Sequence, residues 1–380
     1  MKTTSYRDTW VEIDVHAIQF NMEQFRGYVA PSTQLMAVVK ADGYGHGAVA
    51  AAKAALAGGA TYLGVALLDE ALELREAGID VPILILGYTA PHAIKKAIEA
   101  NVTLTVFDHE VTDAIIAASE QAKKMVNVHV KIDSGMSRVG VRTSEEAYEL
   151  ATKLQAASWV KLEGIFTHFA HADSTDSYYT EKQFSTFSSI IEFLHKNDIT
   201  IPIKHCCNTA GTMNFKKMHL DMVRVGIGLY GLYPDDSLKH HDIQLKQAMS
   251  FKTSVAFIKE VEAEQPISYG CTYAPKETST IATLPVGYAD GLSRLLSNKG
   301  HMLIKEQKVS IVGRVCMDQT MIDVTKIDNI NIGDEVTIFG YDDNSFQSVD
   351  EVAEIMGTIN YEVVCLIGKR VPRMYKPGKN

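Results

Sequence analysis

The feature that most constrains the fold is an alternation. Between Leu35 and Gly231, short β-branched and apolar runs (LMAVV, TYLGVA, VPILIL, VTLTVF, VNVHVKI, LEGIFTHF, IKHCCN and MVRVGIGLYG) take turns with segments of helical composition such as DEALELREAG, APHAIKKAIEAN and SEEAYELATKLQAA. The runs have the length and texture of buried strands, and several of the helical segments close on Gly or Asn, where a left-handed cap belongs. Strand, helix and strand in turn imply parallel βα units. Eight of them predict a closed (β/α)8 barrel, a fold of about 250 residues. Before the first run, Val15, Ile18, Met22, Phe25 and Val29 recur at steps of three and four after an Asp14 cap, which predicts an amphipathic helix.

After about Tyr233 the texture changes. LYPDDSLKHHD is a polar, turn-rich linker, and FKTSVAFIKEV, TSTIATLPVGYADG, HMLIKEQKVSIVGRV, TMIDVT and DEVTIFG read as strands, with one short helix near VDEVAEIMG. The expected division is a barrel over residues 1–238 and a mainly β domain over 239–380. A net charge of -9 argues against nucleic acid or an anionic membrane surface as the partner and favours a small molecule. The start, MKTTSYRDTWVEID, lacks the apolar core of a signal peptide, and no segment approaches the roughly 18 apolar residues of a membrane span. The expected location is the cytoplasm. The 5 cysteines include no CxxC pair, which reads as reduced thiols and no metal site.

Barrel chemistry sits at the carboxyl ends of the strands. Lys40 ends the first run, Lys131 and Arg138 lie at and beyond the fifth, His168 closes the sixth, Asn208 and Thr209 follow the seventh, and Arg224 lies in the eighth. Each alone has a structural explanation: a solvated lysine, a core histidine, a surface ion pair. On one rim they point to a site. Asn208-Thr209 and Gly226-Ile227 occupy the loops that in barrels often bind phosphate. The glycines of DGYGHG are spaced by two, unlike a dinucleotide fingerprint, and suit a sharp turn beside Lys40 that leaves room at its amine.

A lysine with room at its amine, opposite a phosphate site, suggests a Schiff base. Both a sugar-phosphate aldolase and a pyridoxal phosphate enzyme would fit. Arg224 favours the second, because arginine is one of the two usual partners of the pyridine nitrogen.

At this point AVVKADGYGHGA, KIDSGMSRVG, RVGIGLYG, SYGCTY, LPVGYADG, GRVCMDQ and INYE resemble the alanine racemase family, in order and along essentially the whole chain. The resemblance implies bound pyridoxal phosphate, a β domain that contributes to the partner chain's active site, and a head-to-tail homodimer with shared sites. Its implied activity interconverts L- and D-alanine by a two-base mechanism on a pyridoxal phosphate aldimine, supplying D-alanine for peptidoglycan. Residue by residue, it makes Lys40 the cofactor lysine, Tyr269 the opposing base and Arg138 the holder of the substrate carboxylate. Tyr44, Thr209, Gly226, Ile227 and Tyr361 would bind the cofactor phosphate, and His168 and Arg224 would line the ring. Met317 of the partner chain would offer its backbone N–H to the substrate, with Tyr288 and Asp318 near the entrance. Thr209 replaces the family's usual serine and keeps the hydroxyl. Lys131 matches a position that is often carbamylated.

These residue types suit the chemistry. Racemisation needs an acid-base group on each face of the α carbon. Tyrosine, with an ordinary pKa of about 10, needs its anion stabilised, which His168 and Arg224 could do. Arginine has only donors, so the ring nitrogen facing it stays unprotonated. The rival readings are a decarboxylase of the same architecture, which would use an acidic ring partner, a non-catalytic pyridoxal phosphate carrier, which would lack the second domain, and a racemase of broader scope.

Overall fold

The computed structural model describes residues 5–376. They form two compact units, one from residues 16–43 and 47–246, the other from residues up to Val15, residues 44–46 and the chain from Gln247 onward. The first strand, β1 (Thr9–Asp14), alternates buried and half-buried residues and belongs to the second unit. The barrel unit begins at His16, in the helix Val15–Tyr28. Its Ala17, Ile18, Met22 and Phe25 are buried, the face that the spacing of apolar residues predicts.

Eight parallel strands make the barrel: β2 (Gln34–Val38), β3 (Tyr62–Val65), β4 (Ile83–Ile85), β5 (Thr103–Val106), β6 (Val126–Lys131), β7 (Val160–Phe166), β8 (Ile203–His205) and β9 (Met222–Val225). They neighbour one another in chain order, and β9 returns to pair with β2. Between β8 and β9 there is no regular ladder; two backbone bonds, Asp221 to Lys204 and Arg224 to Cys207, join them. β2 to β6 are almost wholly buried because helices cover the outer face and side chains fill the inner one. The eight runs of the sequence are these eight strands.

Between β6 and β7 the register slips: Val128 faces Leu162 but His129 faces Gly164, so Glu163 is an extra, bulged residue. A bulge re-aims side chains.

After β2 the backbone turns left-handed. Ala41, Asp42, Gly43, Tyr44, Gly45 and Gly47 all have positive φ, from 52 to 93°. Non-glycine residues in this region cost about 1 kcal/mol each. The turn is held by the Glu70 carboxylate, which accepts from Ala41 N–H at 2.6 Å, and by the Asp42 carboxylate, which accepts from Ala48 N–H at 3.0 Å. A Cβ on Gly45 would come within 2.4 Å of the Val364 carbonyl oxygen. Gly45 is thus required by the turn.

The second unit carries β10 (Met249–Ser254), β11 (Phe257–Val261), β12 (Ser279–Leu284), β13 (His301–Ile304), β14 (Gln307–Ser310), β15 (Thr320–Asp323), β16 (Glu335–Asp342), β17 (Ser345–Gln347) and β18 (Arg373–Lys376). One sheet runs β14-β13-β16-β10-β1-β18, with β17 on β16; a second runs β11-β12-β15. The helix Val349–Met356 was expected; a further one, Asn360–Cys365, was not.

Candidate active site

Arg224 sits on β9 with 3% of its surface exposed. Its Nη1 donates to His205 Nδ1 at 2.9 Å, and its Nη2 lies 2.9 Å from Thr167 O, 3.0 Å from Cys206 O and 3.2 Å from His168 Nδ1. All four partners are neutral acceptors. Burial pulls the guanidinium down to about 10, which leaves it charged at neutral pH. The neighbouring Cys207 thiol is pushed well up by Cys206 and by burial, so it offers no thiolate.

His168, just past β7, is held well below its ordinary pKa by burial first and then by Arg224, Lys131, Arg138 and Lys40. It is a neutral imidazole. Since Nδ1 accepts from Arg224, its proton is on Nε2, which makes Nε2–H a donor. Lys131 at the end of β6 is 4% exposed, and its Nζ has no hydrogen-bond partner among the described residues. It lies 4.6 Å from the Phe166 ring centre. Burial, followed by the charges of Arg224 and Arg138, holds this amine well below the usual lysine value. Arg138 is exposed on the loop after β6.

Beyond β8 and β9 the Thr209 hydroxyl accepts from Gly226 N–H at 2.9 Å and Gly228 N–H at 3.4 Å. A Cβ on Gly228 would lie 2.7 Å from Thr209 Cγ2. The two loops therefore approach as closely as glycine allows. Tyr230 in the same loop donates to Val38 O at 3.0 Å, fixing the end of β2 just before Lys40. The structure thus gathers Lys40, Lys131, Arg138, His168, Thr209, Arg224, Gly226 and Ile227 at the carboxyl ends of the barrel strands.

The other expected residues belong to the second unit. Tyr44 and Tyr361 pack ring to ring at 6.3 Å. Tyr269 begins a tight turn, Tyr269–Cys271, flanked by positive φ at Ser268 and Gly270, and is 72% exposed. Met317 and Tyr288 are also exposed, and their loops are joined by the bonds Tyr288 N–H to Cys316 O and Ala289 N–H to Met317 O. Asp318 accepts from Arg370 at 2.6 Å.

Sequence reasoning missed the polar interior of the barrel. His205 Nε2 lies 2.9 Å from His129 Nδ1, His129 Nε2 lies 3.3 Å from Glu163 Oε2, and Glu163 also accepts from Tyr62 and Asn127, each at 3.0 Å. The available signal was Asn127, His129 and Lys131 at period two in an otherwise apolar strand.

The family model described as alanine racemase, N-terminal domain, matches residues 13–234, and that for the alanine racemase C-terminal domain matches residues 248–375. Alanine racemase 2 of Oceanobacillus iheyensis is 55% identical over 98% of this chain and 94% of its own length. The alanine racemase of Methanococcus maripaludis is 47% identical over 96% of this chain and 98% of its own. The crystal structure of alanine racemase from Bacillus anthracis with bound L-Ala-P superposes with a TM-score of 0.95 at 40% identity, covering 100% of this chain and 97% of that one. A histidine racemase from Leuconostoc mesenteroides reaches 0.90 at 27% identity, covering 98% and 99%.

The buried imidazoles make stability depend on pH. His129, His168 and His205 are all held below their ordinary value, in each case by burial first. Unfolded histidine takes up its proton near pH 6.5, so the contribution of a neutral native imidazole is complete above that pH and is lost as pH falls below it. Urea unfolding should show stability dropping between pH 7 and pH 5 by up to about 2 kcal/mol per histidine. A flat profile would contradict the neutral assignment.

Proposed function

The chain belongs to the alanine racemase family, and on that premise we propose that it interconverts L- and D-alanine with pyridoxal phosphate carried on Lys40. The observation that carries this reading is Arg224: a buried, permanently charged donor set, with Nε–H and a second Nη1–H uncommitted among the described residues. Such a group fits an unprotonated pyridine nitrogen. The loops of Thr209 and of Gly226-Ile227 fit a phosphate, through a hydroxyl and backbone N–H groups. Tyr44 and Tyr361 complete the assigned cofactor contacts.

Bound pyridoxal phosphate supplies the electron sink that acidifies the α C–H of the amino acid. The chain's own residues then handle the proton. Lys40 Nζ takes or returns it on one face, and Tyr269 Oη does so on the other. His168 Nε2–H can stabilise a phenolate by donation, because its own charge is suppressed. Arg138 binds the substrate carboxylate, helped by the backbone N–H of Met317. The exposure of Tyr269, Met317 and Tyr288 supports their delivery to a second protomer in a homodimer with shared sites. Tyr288 and Asp318 would then flank the entrance. A cytoplasmic enzyme feeding D-alanine to peptidoglycan is the setting that this activity fits.

Lys131 has the properties of an amine that captures carbon dioxide: it is buried, its pKa is held well down, and its Nζ has no hydrogen-bond partner among the described residues. Nζ attacks the carbon and releases a proton, and the carbamate formed gives Arg138 an anionic partner.

The broader-scope reading has the histidine racemase neighbour in its favour, at lower identity than the alanine racemases. The deciding assay follows D-amino acid formation from a panel of L-amino acids. Alanine should turn over fastest, and Lys40→Ala should lose at least about a hundredfold in rate, the scale of a missing acid-base group, while Lys53→Ala retains activity. Preference for another amino acid, or an active Lys40→Ala protein, would refute the reading. Separately, 13C-bicarbonate labelling should give a carbamate signal that Lys131→Ala removes; its absence from the native enzyme would remove the carbamate from the account.

A further inference from the structure

Arg224 poses a problem that its direct contacts do not solve. Removing a guanidinium from water costs several kcal/mol unless an opposite charge compensates. Every group that Arg224 touches is neutral, and the nearby Cys207 thiol stays protonated. A carboxylate is reached only by following the hydrogen bonds inward.

The direction of each bond is fixed by chemistry. Arg224 Nη1–H can only donate, so His205 Nδ1 accepts and carries no proton. His205 is neutral, so its proton is on Nε2, which faces His129 Nδ1 at 2.9 Å. That makes His129 Nδ1 an acceptor and puts the proton of His129, also neutral, on Nε2, which faces Glu163 Oε2 at 3.3 Å. Burial alone would push the Glu163 carboxyl up, but donation from His129 and Tyr62 and the charge of Lys161 outweigh it, and the group stays ionised. Tyr62 must then donate to Glu163, and Thr103, 2.8 Å from the Tyr62 hydroxyl, donates to it in turn. Every donor in the series points from the cation toward the anion.

We propose that Glu163, His129 and His205 are positioning residues, a one-directional relay that brings the compensating charge of Glu163 to Arg224 and fixes that arginine as a donor toward the cofactor ring. The inference rests on the assignment of Arg224 to the ring nitrogen given above.

Several features of the chain hold the members of this relay in place. Strand alternation puts Glu163 on the same face as Asn127 and His129, and at the bulge it reaches His129, Tyr62 and Asn127. Gly164 beside it must be glycine, since a Cβ there would lie 2.4 Å from His129 Nδ1. The His205 ring is clamped by parallel stacking on Phe166, with centroids 4.8 Å apart and planes within 4°. At the far end Lys161 Nζ, half exposed, stands 3.5 Å from Glu163 Oε1 and helps keep the carboxyl ionised.

The relay also explains why the anion is kept at a distance. A carboxylate in direct contact would neutralise Arg224 and could take the place of the ring as its partner. Two imidazoles pass on the polarisation while leaving the remaining N–H groups of Arg224 available.

Neutron diffraction from the deuterium-exchanged holoenzyme reads the relay without reference to turnover. Deuterium is expected on Nε2 and absent from Nδ1 in both His129 and His205; a deuteron on Nδ1 of either ring overturns the proposal. Glu163→Gln keeps the shape and removes the charge. It should lower kcat by roughly tenfold, the scale of losses for groups that orient a ligand through hydrogen bonds, leave KM nearly unchanged and move the absorption band of the bound cofactor. Gly164→Ala, which displaces the His129 ring without altering any charge, should do the same. Unchanged kcat and unchanged absorption in a folded Glu163→Gln enzyme overturn the positioning role. Should the deuterons and the band shift be as expected in a protein that does not racemise alanine, the relay stands and the functional reading fails.

Discussion

A guanidinium buried at the end of a barrel strand, with no carboxylate in contact, is the constraint on which the interior of this protein depends. Arg224 needs acceptors on several sides, and the barrel provides them as strand-end carbonyls at Thr167 and Cys206 and as imidazoles from neighbouring strands. After burial itself, its field is the next cause that holds the pKa of His168 and of Lys131 well down. Burial and this one cation together disfavour further positive charge on the groups around it. On the proposed reading, a donor that stays charged at neutral pH would also keep a facing pyridine nitrogen unprotonated.

The second constraint is backbone conformation. Lys40 follows β2 and enters a left-handed turn in which Ala41 and Asp42 accept strain and Gly43 and Gly45 avoid it. The carboxylates of Glu70 and Asp42 and the phenol of Tyr230 hold the segment by its backbone. Strain of this kind persists only where the surroundings over-determine it, and here it places a lysine at the mouth of the barrel.

Much of this was legible in the sequence because it rests on local pattern. The eight strands were readable from short apolar runs, and the strand-end positions of Lys40, Lys131, His168 and Arg224 followed from counting βα units. The glycines of DGYGHG announced a turn. What could not be read was anything that depends on register. Glu163 meets His129, Asn127 and Tyr62 only because other strands are laid beside β7, and no local signal marks the one-residue slip that sets Gly164 opposite His129. Strand β1 reads as a strand in WVEID, but its antiparallel partner β10 lies more than two hundred residues away in the chain, so its place in the second unit was invisible. The helix Asn360–Cys365 is short and apolar enough to pass for loop or strand. The exposure of Tyr269 is a tertiary fact, although its assignment came from the motif SYGCTY.

The central claim is that this is an alanine racemase whose two acid-base groups come from different chains, Lys40 from one and Tyr269 from its partner. The direct test mixes inactive proteins. Lys40→Ala and Tyr269→Phe chains, dissociated together and reassociated in equal amounts, should form about half mixed dimers, each with one site carrying both lesions and one carrying neither, by the two-fold symmetry of a homodimer. Alanine racemisation should then return to roughly a quarter of the native rate, since one site in four is intact. No recovery in a preparation shown to contain the mixed dimer would mean that both groups belong to the same chain, and the account of the shared site would be wrong.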